Sequence, residues 1–161
     1  MTNMRLRKAP IIGEPSRVAD VWFEVCKPDD PTSPKGSRTW NLLFDTDMQA
    51  GRARCMIAYR IRGEGVGNHF HPRVENKDPE IFVVLIGSVE FWFKDIYGEE
   101  RTIPIAVNSQ NINPVMIKIP PYLLHRINIV SPYAVFEEFQ TGPFDPFVNY
   151  SAVEFELLRQ Q

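Results

Sequence analysis

Fourteen prolines and nine glycines are spread along 161 residues, and most fall between short apolar runs. Proline removes a backbone donor and glycine weakens regular elements, so this spacing leaves little room for long helices. It fits a series of short strands. Val18 to Cys26 (VADVWFEVC), Arg38 to Phe44 (RTWNLLF) and Arg54 to Arg62 (RCMIAYRIR) are rich in β-branched and aromatic residues, as strands are. Glu80 to Ile86 is a nearly continuous apolar run, expected to be covered on both faces and to stop at Gly87. Ser88 to Asp95, Arg101 to Val107, Val115 to Ile119, Arg126 to Val130 and Tyr133 to Phe139 follow as further strands. Met1 to Arg17 reads as an extended arm, and KPDDPTSPKGS as a loop. Ser151 and Glu154 have the spacing of a capping box, so a short helix is expected in the tail. The expectation is an all-β barrel or sandwich in a single domain over residues 1–161. Residues 1–37 form its arm and first strand, 38–140 its barrel core and 141–161 its tail.

Composition narrows the partners. The net charge of −2 provides no overall basic field for nucleic acid. The longest apolar run, Ile81 to Ile86, is far too short to cross a bilayer, and the N-terminus has no apolar stretch of the signal-peptide kind. Cys26 and Cys55 form neither a CxxC pair nor a disulfide framework, which suits buried thiols in a reducing compartment. A cytoplasmic protein with no nucleic-acid and no membrane partner is expected.

The histidines carry the functional signal. The chain has three: His69, His71 and His125. Residues two apart on a strand point to one face, so His69 and His71 face together while Phe70 faces away. By the same alternation Glu80 shares a face with Phe82, Val84 and Ile86, and His125 with Leu123 and Ile127. If these faces line one barrel, three imidazoles and a carboxylate converge among apolar side chains. That donor set suits one divalent transition metal ion: Zn²⁺, Fe²⁺, Mn²⁺, Ni²⁺ or Co²⁺. Tyr59, Phe82, Tyr122 and Ile127 are the candidate lining of a pocket for a small-molecule substrate or ligand.

The wording around these residues resembles the cupin superfamily. Its first motif is a glycine, five residues, HxH, a gap, a glutamate, six residues and a glycine. Here the corresponding residues are Gly63, His69-Phe70-His71, Glu80 and Gly87. The second motif, Pro-x-Gly-x-x-His-x-x-x-Asn, is matched in part by Pro120 to His125, with Tyr122 at the glycine position and Asn128 one residue early. The gap after His71 (PRVENKDP) is longer than usual. Glu75 stands at the more usual spacing and competes with Glu80, which is favoured because it begins the apolar strand at the expected distance before Gly87.

The resemblance implies a double-stranded β-helix, or jelly-roll barrel, with a mononuclear site of His69, His71, Glu80 and His125. GVGNHFH and EEFQTGPFDPF are further similar to cupins that accompany nucleotide-sugar and capsular-polysaccharide enzymes. That likeness implies isomerase or epimerase chemistry, with a proton removed next to a carbonyl. Tyr59, Tyr122 and Glu90 are candidate bases by residue type, and Arg60, Arg73, Lys118 and Arg126 are candidate phosphate partners. The ligand set also permits a non-heme iron dioxygenase, or a cupin that binds a small ligand without turnover. Family analogy adds a homodimer formed through the N-terminal region.

Overall fold

The structure is a computed structural model that describes residues 6–26, 54–74, 78–140 and 148–161. Its strands are β1 (Trp22–Val25), β2 (Arg54–Ile61), β3 (Gly65–Phe70), β4 (Glu80–Lys94), β5 (Glu100–Val107), β6 (Val115–Ile119), β7 (Leu124–Ile129), β8 (Tyr133–Gln140) and β9 (Tyr150–Ser151). The one α-helix among the described residues is α1 (Ala152–Leu158), which is not long or apolar enough to cross a membrane. The expected strand at Arg38 to Phe44 and the loop before it lie outside the described residues.

Two antiparallel sheets share β4. One runs β1-β6-β4-β8-β2 and the other β5-β4-β7-β3-β9. Gly87 makes this possible. The sequence reading placed a strand end there, yet β4 runs on as one 15-residue strand. Before Gly87 it pairs with β6 and β8; from Gly87 onward it pairs with β5, and from Val89 with β7. The glycine has φ +102°, and a Cβ there would meet the Tyr133 carbonyl oxygen at 2.5 Å and Ala134 Cα at 2.8 Å. It is the corner where one strand passes between the sheets.

A register shift between Val84 and Ile86 accompanies this corner and breaks the simple alternation. Ile86, expected on the inner face, is instead exposed. Beyond the corner Val89, Phe91 and Phe93 resume the inner face. They join Phe82, Val84, Ile117, Ile119, Ile127 and Phe136 in the main core. Each fully buried Phe or Ile contributes about 1.5–3 kcal/mol to folding.

Other expectations need smaller corrections. The first strand begins later than Val18, because Val18–Asp20 form a 3₁₀ turn in which the Asp20 carboxylate accepts the Arg17 N–H. The segment after Pro121 becomes a strand from Leu124, so His125 lies within the ladder. The arm from Leu6 to Arg17 contains no regular element, and α1 is capped as expected, with Ser151 Oγ accepting from Glu154 N. A second cluster covers the outer face of β3 and β7: Ala9 of the arm, Phe70, Tyr122, Leu124, Phe155 and Leu158. Arm and helix therefore form a lid of packing over the strands that carry the histidines.

Candidate metal centre

A β-bulge brings the first histidine into the barrel. β3 pairs with β7 as Val66↔Ile127 and Gly67↔Arg126, and then His69, not Asn68, pairs with His125. Val66 packs on the inner core. Without the extra residue, strict alternation would send His69 to the opposite face. Gly67 (φ +87°) and Asn68 (φ +65°) both take left-handed backbone to absorb it. The bulge re-aims a side chain at a site, as bulges often do. A Cβ on Gly67 would also meet the His125 carbonyl oxygen at 3.0 Å.

From there the alternation works as expected. His69 and His71 face inward, and Phe70 faces outward, where its ring centroid lies 5.3 Å from both Tyr150 and Phe155. The imidazole centroids of His69 lie 4.7 Å from His71 and 4.8 Å from His125, and those of His71 and His125 are 5.4 Å apart. Glu80, the first residue of β4, is 2% exposed and completes the group. Its Oε2 lies 3.1 Å from His71 Nε2 and 3.2 Å from His125 Nε2. Burial alone would raise this carboxyl. The His71 and His125 imidazoles beside its oxygens outweigh it, and the group is held well below the usual carboxylate range.

The tautomer of His125 follows from its surroundings. Nδ1 is 3.0 Å from the Leu123 carbonyl oxygen, which can only accept, so Nδ1 carries a proton. Its Nε2 lacks hydrogen-bond alignment with the carboxylate beside it and presents a lone pair to the cluster. A histidine that donates one nitrogen to a carbonyl and offers the other inward is oriented as metal ligands are.

The residues fit a metal ion. One donor atom from each of the four residues lies within 4.8 Å of the others. A four-coordinate ion with bonds of about 2.1 Å holds its donors about 3.4 Å apart, so closure needs side-chain movements of order 1 Å. Three nitrogens and one oxygen without a thiolate match the first-row divalent ions. Glu75, the competing carboxylate, lies outside the described residues.

The remaining sequence candidates divide. Phe82 and Ile127 are buried in the core, each two residues along its strand from a member of the cluster, Glu80 and His125 respectively. Tyr59 is not in the pocket. It is 59% exposed on the outer face of β2, stacked on Tyr133 at 5.6 Å, because its register partner Val135 faces outward. Tyr122 also turns away, fully buried beneath the arm. Glu90 is half-buried and pairs with Asn128, facing away from the barrel interior. Among the cations, Arg73 stands two residues beyond His71 and pairs with Asp78 at 2.6 Å. Arg60 lies on the inward register of β2, and its Nη1 donates to the Tyr59 carbonyl. Arg126 and Lys118 stack on Trp92 and Trp22 outside the barrel.

The sequence reading missed Glu138. On β8, Ala134 and Phe136 point into the core, and alternation puts Glu138 on that same face. It pairs with Phe82, one alternation along β4 from Glu80. The signal was present: a carboxylate at a core-face position of the alternating segment YAVFEEF. A cavity of about 250 Å³ is lined by Leu85, Ile86, Val107, Asn108, Ser109 and Ile112. It lies well along β4 from Glu80 and is not part of this site.

No protein-family model matches the chain, and no curated protein matches it by sequence. Solved structures do resemble it. QdtA, a sugar 3,4-ketoisomerase from Thermoanaerobacterium thermosaccharolyticum in complex with TDP, superposes with a TM-score of 0.66 at 16% identity, over 89% of this chain and 98% of that one. A 3,4-ketoisomerase from Helicobacter canadensis gives 0.66 at 14% identity, over 88% and 98%. A dTDP-4-dehydrorhamnose 3,5-epimerase from Elizabethkingia anophelis gives 0.57 at 14% identity, over 91% and 79%. At these identities the likeness establishes the fold: a cupin-type jelly-roll barrel with one short C-terminal helix.

Proposed function

We propose that this chain holds one divalent transition metal ion through His69, His71, Glu80 and His125, and that the site acts on a sugar nucleotide by isomerase- or epimerase-type chemistry. The observation that carries the metal reading is the convergence of four donor atoms within 4.8 Å beside the apolar core of the barrel. Support for the substrate class comes from the fold, which is shared with enzymes described as sugar ketoisomerases and an epimerase of a dTDP-sugar.

When bound, the ion supplies Lewis acidity toward a carbonyl oxygen. The chain's own residues supply the rest. The Leu123 carbonyl fixes His125 in the tautomer that offers Nε2. Glu80 brings the one negative charge of the ligand set. Phe82 and Ile127 continue the strands of Glu80 and His125 into the apolar core. Removal of a proton next to a carbonyl also needs a base outside the ligand set, and we assign this to Glu138, the inward-facing carboxylate one alternation from Glu80. The proton leaves the sugar carbon for the Glu138 carboxylate and passes to the neighbouring former carbonyl carbon, while the hydroxyl proton of the first carbon moves to the former carbonyl oxygen, so that ketone and alcohol exchange places.

Metal analysis of the purified protein tests the first half, and melting shifts with dTDP-sugars against dTDP alone and free hexoses test the second. One equivalent of metal and a sugar-nucleotide shift support the reading. Protein without metal after supplementation contradicts it.

A further inference from the structure

Resting on the metal-site reading, we propose that the N-terminal arm is a clasp for the metal centre, with Tyr122 as its positioning residue, so that arm closure and metal occupancy are thermodynamically linked.

His71 lies one residue past the end of β3. Its carbonyl accepts the Tyr122 N–H at 2.7 Å. Tyr122 holds a left-handed backbone, φ +66°, which glycine would take without strain. What tyrosine adds is its ring and its hydroxyl. The ring is 0% exposed. The hydroxyl accepts the Ile12 N–H at 2.7 Å and donates toward the Pro10 carbonyl at 3.2 Å. Arg73, two residues beyond His71, donates Nε to the Ile12 carbonyl at 3.3 Å. The same arm segment thus holds both sides of His71, and through the Tyr122 turn it also sets the approach to His125, three residues on.

The other end of the arm reaches the third histidine. Arg7 N donates to Glu154 Oε1 at 2.8 Å, its Nε reaches the same oxygen at 3.1 Å, and its Nη2 donates to the Asn149 carbonyl. Glu154 Oε2 accepts the Ser151 N–H at 2.8 Å, and Ser151 pairs with His69 across β3 and β9. Residues 7 to 12 are therefore tied to the backbone at His71 and at His69, and to the turn that precedes His125. None of these groups belongs to the ligand set itself. Outer partners that orient ligands commonly change metal affinity by 10–100-fold. Linkage requires the converse: the ion must protect the arm by the factor with which the arm tightens the ion.

The test uses the full chain with Co²⁺ alone as the probe. Its affinity and visible absorption spectrum are measured for wild type, Tyr122→Phe and Ile12→Pro, which removes the same tie from the arm side. Ile105→Val, in the core away from the arm, serves as a control for lost stability. Hydrogen exchange at the Ile12 amide is followed with and without Co²⁺. Tyr122→Phe and Ile12→Pro are expected to weaken Co²⁺ binding about tenfold and to alter the spectrum, whereas Ile105→Val lowers only the melting temperature. In wild type, Co²⁺ is expected to slow Ile12 exchange about tenfold. Unchanged affinity and spectrum in the folded variants, or Ile12 exchange indifferent to Co²⁺ in wild type, overturns the clasp and leaves the metal site standing. Wild type that binds no Co²⁺ overturns the metal site, and the clasp with it.

Discussion

Replacing Glu154 by glutamine removes one charge from the joint between the arm and α1. Glu154 is buried, and its carboxylate meets Arg7 at 3.1 Å and Ser151 N at 2.8 Å. Burial opposes ionisation, but hydrogen bonds from Arg7 and Ser151 overcome it and lower the carboxyl from 4.5 to about 2. A shift of that size corresponds to about 3 kcal/mol, and the half-exposed Arg7 partner reduces it to about 2–3 kcal/mol after solvent screening. The sign follows from a folded value below the unfolded one. The stabilisation is complete above pH about 4.5, falls as pH drops through this range, and is gone below about 2. Glu154→Gln is therefore expected to melt about 4–12 °C below wild type at pH 7. The gap should be roughly halved near pH 3 and should vanish near pH 2, read as urea midpoints where heating is irreversible. Equal stability at pH 7, or a gap that persists undiminished at pH 2, would refute the reasoning.

Gly87→Ala should be among the most disruptive small substitutions, since its Cβ would enter the Tyr133 carbonyl and Ala134; a loss of about 3 kcal/mol or more in urea unfolding is expected. Glu80→Gln keeps the shape of the site but removes its charge, and titration calorimetry should show Zn²⁺ affinity reduced by at least about 100-fold. Glu138→Gln should leave Zn²⁺ affinity within about threefold while slowing solvent-deuterium incorporation into a keto-sugar nucleotide by about 100-fold or more; equal incorporation removes Glu138 from the mechanism. The edge strand β1 exposes Trp22, Phe23 and Val25, and light scattering is expected to report a homodimer that Phe23→Glu weakens.

Most of the barrel was legible because its strands alternate and its turns are punctuated. Arg54–Ile61, Val115–Ile119 and Tyr133–Gln140 fall close to where β-branched and aromatic residues cluster. The ligand group was legible because side chains two apart share a face, and because the second histidine site follows two prolines. Local pattern does not reveal where a chain departs from its own alternation. Gly87 reads as a stop, yet tertiary pairing makes it a corner within one strand. Asn68 reads as an ordinary strand residue, although its bulge decides that His69 faces inward. Tyr59 and Tyr122 looked like pocket lining by type, but one faces solvent and the other is tied to Pro10 and Ile12, more than a hundred residues away in sequence. Such long-range contacts leave no periodic trace.

The central claim is that His69, His71, Glu80 and His125 form a metal centre. Metal content of the purified full chain, measured by plasma emission for wild type beside His71→Ala, tests it most directly. The account predicts close to one equivalent of a single divalent transition metal in wild type and a near-complete loss in the variant, with the fold retained. Wild type lacking metal after growth and dialysis with Zn²⁺, Mn²⁺, Fe²⁺, Ni²⁺ and Co²⁺, or a variant that keeps its full equivalent, would contradict it.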